Sequence, residues 1–280
     1  MHDREYQRFS RLPSPARFNS GKRNIKWLVV IGIGCMLFTA VVWLRASISK
    51  EVEAPASKAY HYQHDIAHNG LELHVLKTTA AHIGLAAIHD NVTNSSFTGI
   101  NGGFFYTSSL LSIAAVDGKP VNGIVGQYGS GDQNMKYARG TLVWDEKLDK
   151  LSVQVVHSLD ELALSDPNHY WAQGGISMSL DTDQHWRDQI VLEKAPFPDD
   201  DRLRSGIVYD ASGNVYLVVT ANEGTLSQFR EAIIDVLGEH TLVDGVFLDG
   251  DGSSQLYSEE MALAGDRRAV VQMITIVNYK

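Results

Sequence analysis

The chain has 280 residues, 44% of them hydrophobic and 20% charged, and its one cysteine excludes an intrachain disulfide and a Cys-based zinc site. The hydrophobic share excludes disorder over most of the length. The formal net charge of −9 divides unevenly: residues 1–50 carry nine Lys/Arg against two Asp/Glu (+7), residues 51–280 fifteen against thirty-one (−16), and an acidic body of this kind excludes a nucleic-acid partner.

The basic leader, residues 1–26, runs into Trp27–Leu44, eighteen residues without a charge. As a helix this stretch would measure about 27 Å, close to the hydrocarbon thickness of a bilayer. Trp27 and Trp43 stand near its ends, and seven Lys/Arg precede it. The pattern predicts an uncleaved single-pass anchor at 27–44, with the N-terminus cytoplasmic and the rest periplasmic or extracellular. A cleaved signal peptide fits less well, because the apolar run is long and no small-x-small site precedes Arg45 cleanly. Residues 45–60, small and polar with Pro55, read as a linker, and residues 61–280 as one domain of about 220 residues.

Within the domain, Leu71–Leu76, Ile83–Ile88, Leu111–Val116, Thr141–Trp144 and Leu151–Val156 read as strands. Ser158 and Glu161 have the spacing of a capping box and predict a short helix to Leu164. Ile207–Tyr209 and Val215–Val219 flank a glycine-containing turn and predict a hairpin. Thr225 and Gln228 form a second capping box, Leu226, Phe229, Ile233, Val236 and Leu237 recur at helical spacing, and Gly238 closes the helix. Val243–Leu248 and Val270–Val277 complete the series. A strand–helix–strand unit among many strands predicts an α+β domain, a mixed β-sheet with packed helices, preceded by one transmembrane helix.

Three glycine corners draw attention, because backbone at such turns approaches a ligand closely. In Ile100-Asn-Gly-Gly-Phe-Phe105, Asn101 offers an amide and the N–H groups of Gly102 and Gly103 an anion nest; a plain hairpin turn is the bland alternative. Gln173-Gly174-Gly175 repeats the pattern. In Val246-Phe-Leu-Asp-Gly-Asp-Gly-Ser-Ser254, an apolar strand delivers Asp249, Gly250 and Gly252 turn the chain, and Ser253 and Ser254 supply hydroxyls. Such a carboxylate serves as base, nucleophile or metal ligand. The sequence requires no cofactor, but Asp249 and Asp251 at i, i+2 form a candidate pair for a divalent cation such as calcium. No Lys follows the glycines, which excludes a Walker-type nucleotide loop, and no G-x-S-x-G elbow is present.

Arg204, beside Ser205 and Gly206 at a strand start, is a candidate phosphate ligand. Arg202 reads instead as an exposed partner of Asp199, Asp200 or Asp201. The histidines show no zincin spacing and read as surface positions.

Asn101-Gly-Gly-Phe-Phe105, Gln173-Gly-Gly175, Arg204-Ser-Gly-Ile207 and Leu248-Asp-Gly-Asp-Gly-Ser-Ser254 follow one another in an order and spacing that resembles the phosphodiester glycosidase family over residues 95–260. The resemblance implies a hydrolase that breaks the bond between an anomeric carbon and a phosphodiester oxygen in a cell-surface glycan or glycoconjugate. Some relatives are linked to exopolysaccharide. It also implies the roles. Arg204 and the amides at Gly102 and Gly103 would hold phosphate, and Asp249 would act as base or nucleophile, with Glu223 as the alternative carboxylate. Asn101, Gln173, Gly174, Gly175, Ser205, Gly250, Gly252, Ser253 and Ser254 would line the sugar phosphate. The expected partners are a carbohydrate or glycan phosphate and, through residues 27–44, a membrane. One departure stands out: Asp251 occupies the place where the family's last motif has a glycine. A non-catalytic glycan-binding module of the same fold is the competing expectation.

Overall fold

The computed structural model describes residues 58–180, 182, 185–238 and 241–277, within a compact unit that begins at Lys58. Its centre is a six-stranded sheet in the order β1 (His61–Ile66), β2 (Glu72–Thr79), β14 (Asn214–Thr220), β13 (Ser205–Asp210), β15 (Leu242–Phe247) and β12 (Ile176–Ser177). A second sheet runs β10 (Lys150–Val156), β9 (Arg139–Asp145), β11 (Tyr170–Gly174), β7 (Ala114–Val116) and β8 (Lys119–Pro120). A third runs β17 (Ala262–Leu263), β16 (Leu256–Tyr257), β4 (Thr98–Asn101), β18 (Val270–Ile276) and β3 (Ile83–Asp90), and β5 (Phe105–Tyr106) pairs with β6 (Ser109–Leu110).

Alternation along the central strands decides where the core lies. Val75, Val208, Val218 and Phe247 face helix α2 (Leu226–Leu237), whose Phe229, Ala232 and Ile233 pack against them with no exposure. Their sequence neighbours Leu76, Ile207, Leu217 and Val246 face the other way. They meet Leu142 and Trp171 of the second sheet and Ile100 and Ile274 of the third. Burying a large apolar side chain contributes roughly 1.5–3 kcal/mol, so both faces of the central sheet are strongly committed. Helix α1 (Trp186–Leu192) adds Trp186 and Ile190 to the α2 side.

The predicted helix 225–238 forms as read: Thr225 Oγ1 accepts from the Gln228 N–H and Gln228 Oε1 from the Thr225 N–H. The hairpin around Asp210–Asn214 also forms. The α+β expectation is corrected. The described fold is dominated by β-structure, with two α-helices among the described residues, and every paired strand is antiparallel, so the sheet is not mixed. The reason is that β13 inserts between β14 and β15, the strands α2 connects, so no crossover places parallel neighbours side by side. At Ser158 no side-chain cap forms, and Leu159–Glu161 is a single 3₁₀ turn. The predicted transmembrane helix, 27–44, lies outside the described residues, and among the described residues no helix is long and apolar enough to cross a membrane.

Candidate active site

The glycine corners converge, held together by two buried amide side chains. Asn101, at the end of β4, completes all four of its amide hydrogen bonds. Its Nδ2 donates to the carbonyls of Asp249 (2.8 Å) and Gly102 (3.2 Å), and its Oδ1 accepts from the Ser205 hydroxyl (2.8 Å) and the Gln255 N–H (3.1 Å). Gln272 of β18 performs the second bracketing. Its Oε1 accepts from the Gly103 N–H (3.0 Å), its carbonyl from the Gly102 N–H (2.9 Å), and its Nε2 donates to Gln173 Oε1 (2.9 Å). A Cβ on Gly102 would lie 1.6 Å from Gln272 Oε1, so this packing demands glycine. Gly174 and Gly175 spend their N–H groups on the carbonyls of Ile113 and Gly140. Asn101, Gly102, Gly103, Gln173, Gly174, Gly175 and Ser205 therefore form a satisfied internal frame, and the amides of Gly102 and Gly103 are not open to an anion.

On that frame rests a cavity of about 320 Å³, with Arg139, Arg202, Arg204, Arg268, Asp249 and Asp251 in its wall. Phe104, Phe105, Phe197 and Phe247 supply apolar surface. Four arginines against two aspartates leave the wall cationic in a protein of net charge −9. Of the residues expected from the sequence, Arg204, Asp249, Gly250 and Asp251 line it; Glu223 is exposed before α2 and does not. Gly252, Ser253 and Ser254 are buried and do not line it, and the Ser254 hydroxyl makes no hydrogen bond among the described residues.

Two of the arginines are fixed by carbonyl oxygens rather than by carboxylates. Arg204, 5% exposed, donates from Nε to the Gly224 carbonyl (2.8 Å) and from Nη2 to those of Phe197 (2.9 Å) and Asp200 (2.6 Å). Arg139 donates to the carbonyls of Glu193 (3.1 Å) and Lys194 (3.2 Å), with its guanidinium 5.1 Å from the Phe104 ring centre. Neither makes an ion pair among the described residues. Burial, reinforced by the neighbouring charge of Arg202, lowers the Arg204 pKa to about 10, and burial also lowers that of Arg139. A buried charge without a counter-ion is costly, and an incoming anion relieves that cost.

The other two are paired. Arg202 bridges Asp200 (3.0 Å) and Asp251 (3.1 Å) and lies 4.1 Å above the Phe197 ring. The ion pair expected for Arg202 forms with Asp200, and Asp251 joins it, but Arg202 is partly buried in the cavity wall rather than exposed outside it. Arg268 chelates Asp266 through Nε (2.9 and 2.8 Å) and Nη2, and its pKa rises through that hydrogen bonding. Asp251 has φ 57°, a left-handed backbone that favours glycine, which is the residue the resemblance expects there. With Arg202 and Arg268 alongside, Asp249 and Asp251 face positive charge, which opposes the binding of a cation.

Asp249 keeps part of its surface open to the cavity, yet the protein packed around it pushes its pKa up to about 7. Burial outweighs the Ser253 hydroxyl, the charge of Arg268 and the Gly250 N–H, all of which favour the carboxylate. A carboxyl that exchanges its proton near neutrality, beside preplaced cations, is suited to proton transfer or nucleophilic attack.

Arg139 and Arg268 escape a reading based on motifs, since neither falls in a glycine corner; the signal available was an arginine at or just before a strand start in an acidic domain.

No protein-family model and no curated protein matches the chain. Among solved structures, it is similar to the zebrafish N-acetylglucosamine-1-phosphodiester alpha-N-acetylglucosaminidase catalytic domain, auto-inhibited by its pro-peptide. The TM-score is 0.57 at 15% identity, covering 82% of this chain and 86% of that one. A hypothetical protein from Synechocystis aligns with a TM-score of 0.40 at 14% identity, over 78% of this chain and 61% of that one. The fold of this chain thus resembles that of a phosphodiester glycosidase catalytic domain.

Proposed function

We propose that this protein is a hydrolase that cleaves a sugar-1-phosphodiester, releasing the sugar from its phosphate. The observation that carries the reading is the pairing of two carbonyl-held arginines that make no ion pair among the described residues, the buried Arg204 and the half-buried Arg139, with the proton-exchanging carboxyl of Asp249 in one cavity. Guanidinium groups already locked in place neutralise a phosphodiester without reorganising as charge develops on the departing oxygen. That leaving group is a weak base, so strong acid assistance is less necessary than for an ordinary glycoside. Asp249, deprotonated, activates water or attacks the anomeric carbon. The phenylalanines supply apolar surface for the sugar ring.

The test is incubation of the full chain with a sugar-1-phosphodiester, following free sugar. Release by the wild type and its loss, by about 10²–10⁴-fold, in Asp249→Asn supports the reading. Saturable binding without release by the wild type would replace it with a glycan-phosphate-binding module.

A further inference from the structure

The hairpin of β1 and β2 carries a second cluster, independent of the cavity. Its register sets His64 directly opposite His74 and Ile66 opposite Glu72. Because side chains alternate along a strand, Tyr62 and His64 of one strand share a face with Glu72 and His74 of the other. Three ligand atoms converge there. His64 Nε2 lies 2.8 Å from Glu72 Oε1, His74 Nε2 lies 3.5 Å from the same oxygen, and all three are within 4.8 Å of one another. Metal–ligand bonds of about 2.0–2.1 Å in tetrahedral geometry separate ligand atoms by roughly 3.3 Å, a spacing that small side-chain rotations here provide.

The surroundings suit a metal as well. The imidazoles of His64 and His74 stack with centroids 4.6 Å apart, which sets both rings on one face of the hairpin. His74 is buried, with its Nε2 turned toward the Glu72 carboxylate. Tyr62 Oη sits 2.8 Å from His74 Nδ1. When Nδ1–H donates to that hydroxyl, Nε2 is left with its lone pair facing Glu72, the outer hydrogen bond that ligating histidines commonly make. The half-exposed His64 and Glu72 give an ion access and leave a fourth position for water. Two imidazoles and a carboxylate form a borderline donor set that favours zinc over calcium or magnesium.

We propose that His64, Glu72 and His74 bind a zinc ion that staples the edge strand β1 to β2. The geometry requires no sequence signature on a helix: the ligands are brought together by cross-strand register, which is why their spacing resembles no zincin motif.

The experiment is a titration of the EDTA-treated full chain with zinc chloride, by calorimetry and by thermal melting. His64→Asn and Glu72→Gln change half-exposed side chains and so keep the fold, whereas removing the buried His74 endangers it. The expected result is a zinc equivalent bound by the wild type with a raised Tm. Affinity should fall at least tenfold in either variant and about tenfold in Tyr62→Phe. A wild type that binds no zinc, or variants that bind it with wild-type affinity, would overturn the proposal.

Discussion

The side-chain amide of Asn101 donates to the backbone carbonyl of Asp249 at 2.8 Å, across 148 residues of sequence. This bond joins the Asn-Gly-Gly corner to the Asp-Gly-Asp-Gly corner and sets the backbone from which the Asp249 carboxyl reaches the cavity. Asn101→Ala removes that donor and strands the Ser205 hydroxyl and Gln255 N–H, both buried, without an acceptor. Each unsatisfied group costs about 1–3 kcal/mol, so denaturant unfolding should show a loss of several kcal/mol. KM measured on the folded fraction should change little, because the amide has no hydrogen bond left over for a ligand.

Asp249 costs the fold stability. Its folded pKa, about 7, lies above the unfolded value near 3.8, so the folded state binds the proton more tightly. The associated stability is fully present below about pH 4 and is lost as pH rises through about 7. Each unit of difference corresponds to about 1.4 kcal/mol. Asp249→Asn, which carries no charge, should therefore melt several degrees higher than the wild type at pH 7.5, with the gap closing at pH 4. Equal melting temperatures at pH 7.5 would show that burial does not perturb this carboxyl.

Arg268 tests the electrostatics of the wall at little risk to the fold. It is half-exposed and paired with Asp266, an arrangement contributing about 0–1 kcal/mol. Arg268→Ala should leave Tm nearly unchanged, raise KM for a phosphodiester about tenfold, and move the Asp249 ionisation upward by removing a charge that favours the carboxylate.

Asp251→Gly places glycine where φ is 57° and releases Arg202 from one of its two carboxylates. The backbone gain of about 1 kcal/mol should offset the lost ion pair, leaving stability near that of the wild type. A more cationic wall should lower KM several-fold, measurable from initial rates.

Where local chemistry decides the structure, the sequence was legible. Thr225, Gln228 and Gly238 mark both ends of α2, and the Asp210–Asn214 turn marks its hairpin. Asp249 and Arg204 were legible for the same reason, Asp249 following a strand beside Gly250 and Arg204 preceding the strand that holds Gly206. The antiparallel character of the sheets was not, because it depends on β13 pairing with both β14 and β15. The duties of Asn101 and Gln173 were hidden too: a polar side chain beside glycines reads alike whether it meets a ligand or, as here, Ser205 and Gln272 from distant strands. Arg139 and Arg268 join the cavity wall only because folding brings three distant segments, around 139, 202–204 and 268, to one place.

The most direct measurement is the pH dependence of kcat/KM for sugar release from a sugar-1-phosphodiester, in the wild type and in Asp249→Asn. Acting as base or nucleophile, Asp249 works when deprotonated, so the wild-type rate should climb with pH and level off above an apparent pKa of about 7. The variant should be slower by about 10²–10⁴-fold at the plateau, with that step gone. Undiminished release by Asp249→Asn, or a wild-type profile flat through neutrality, would contradict the assignment of this carboxyl as the reacting group.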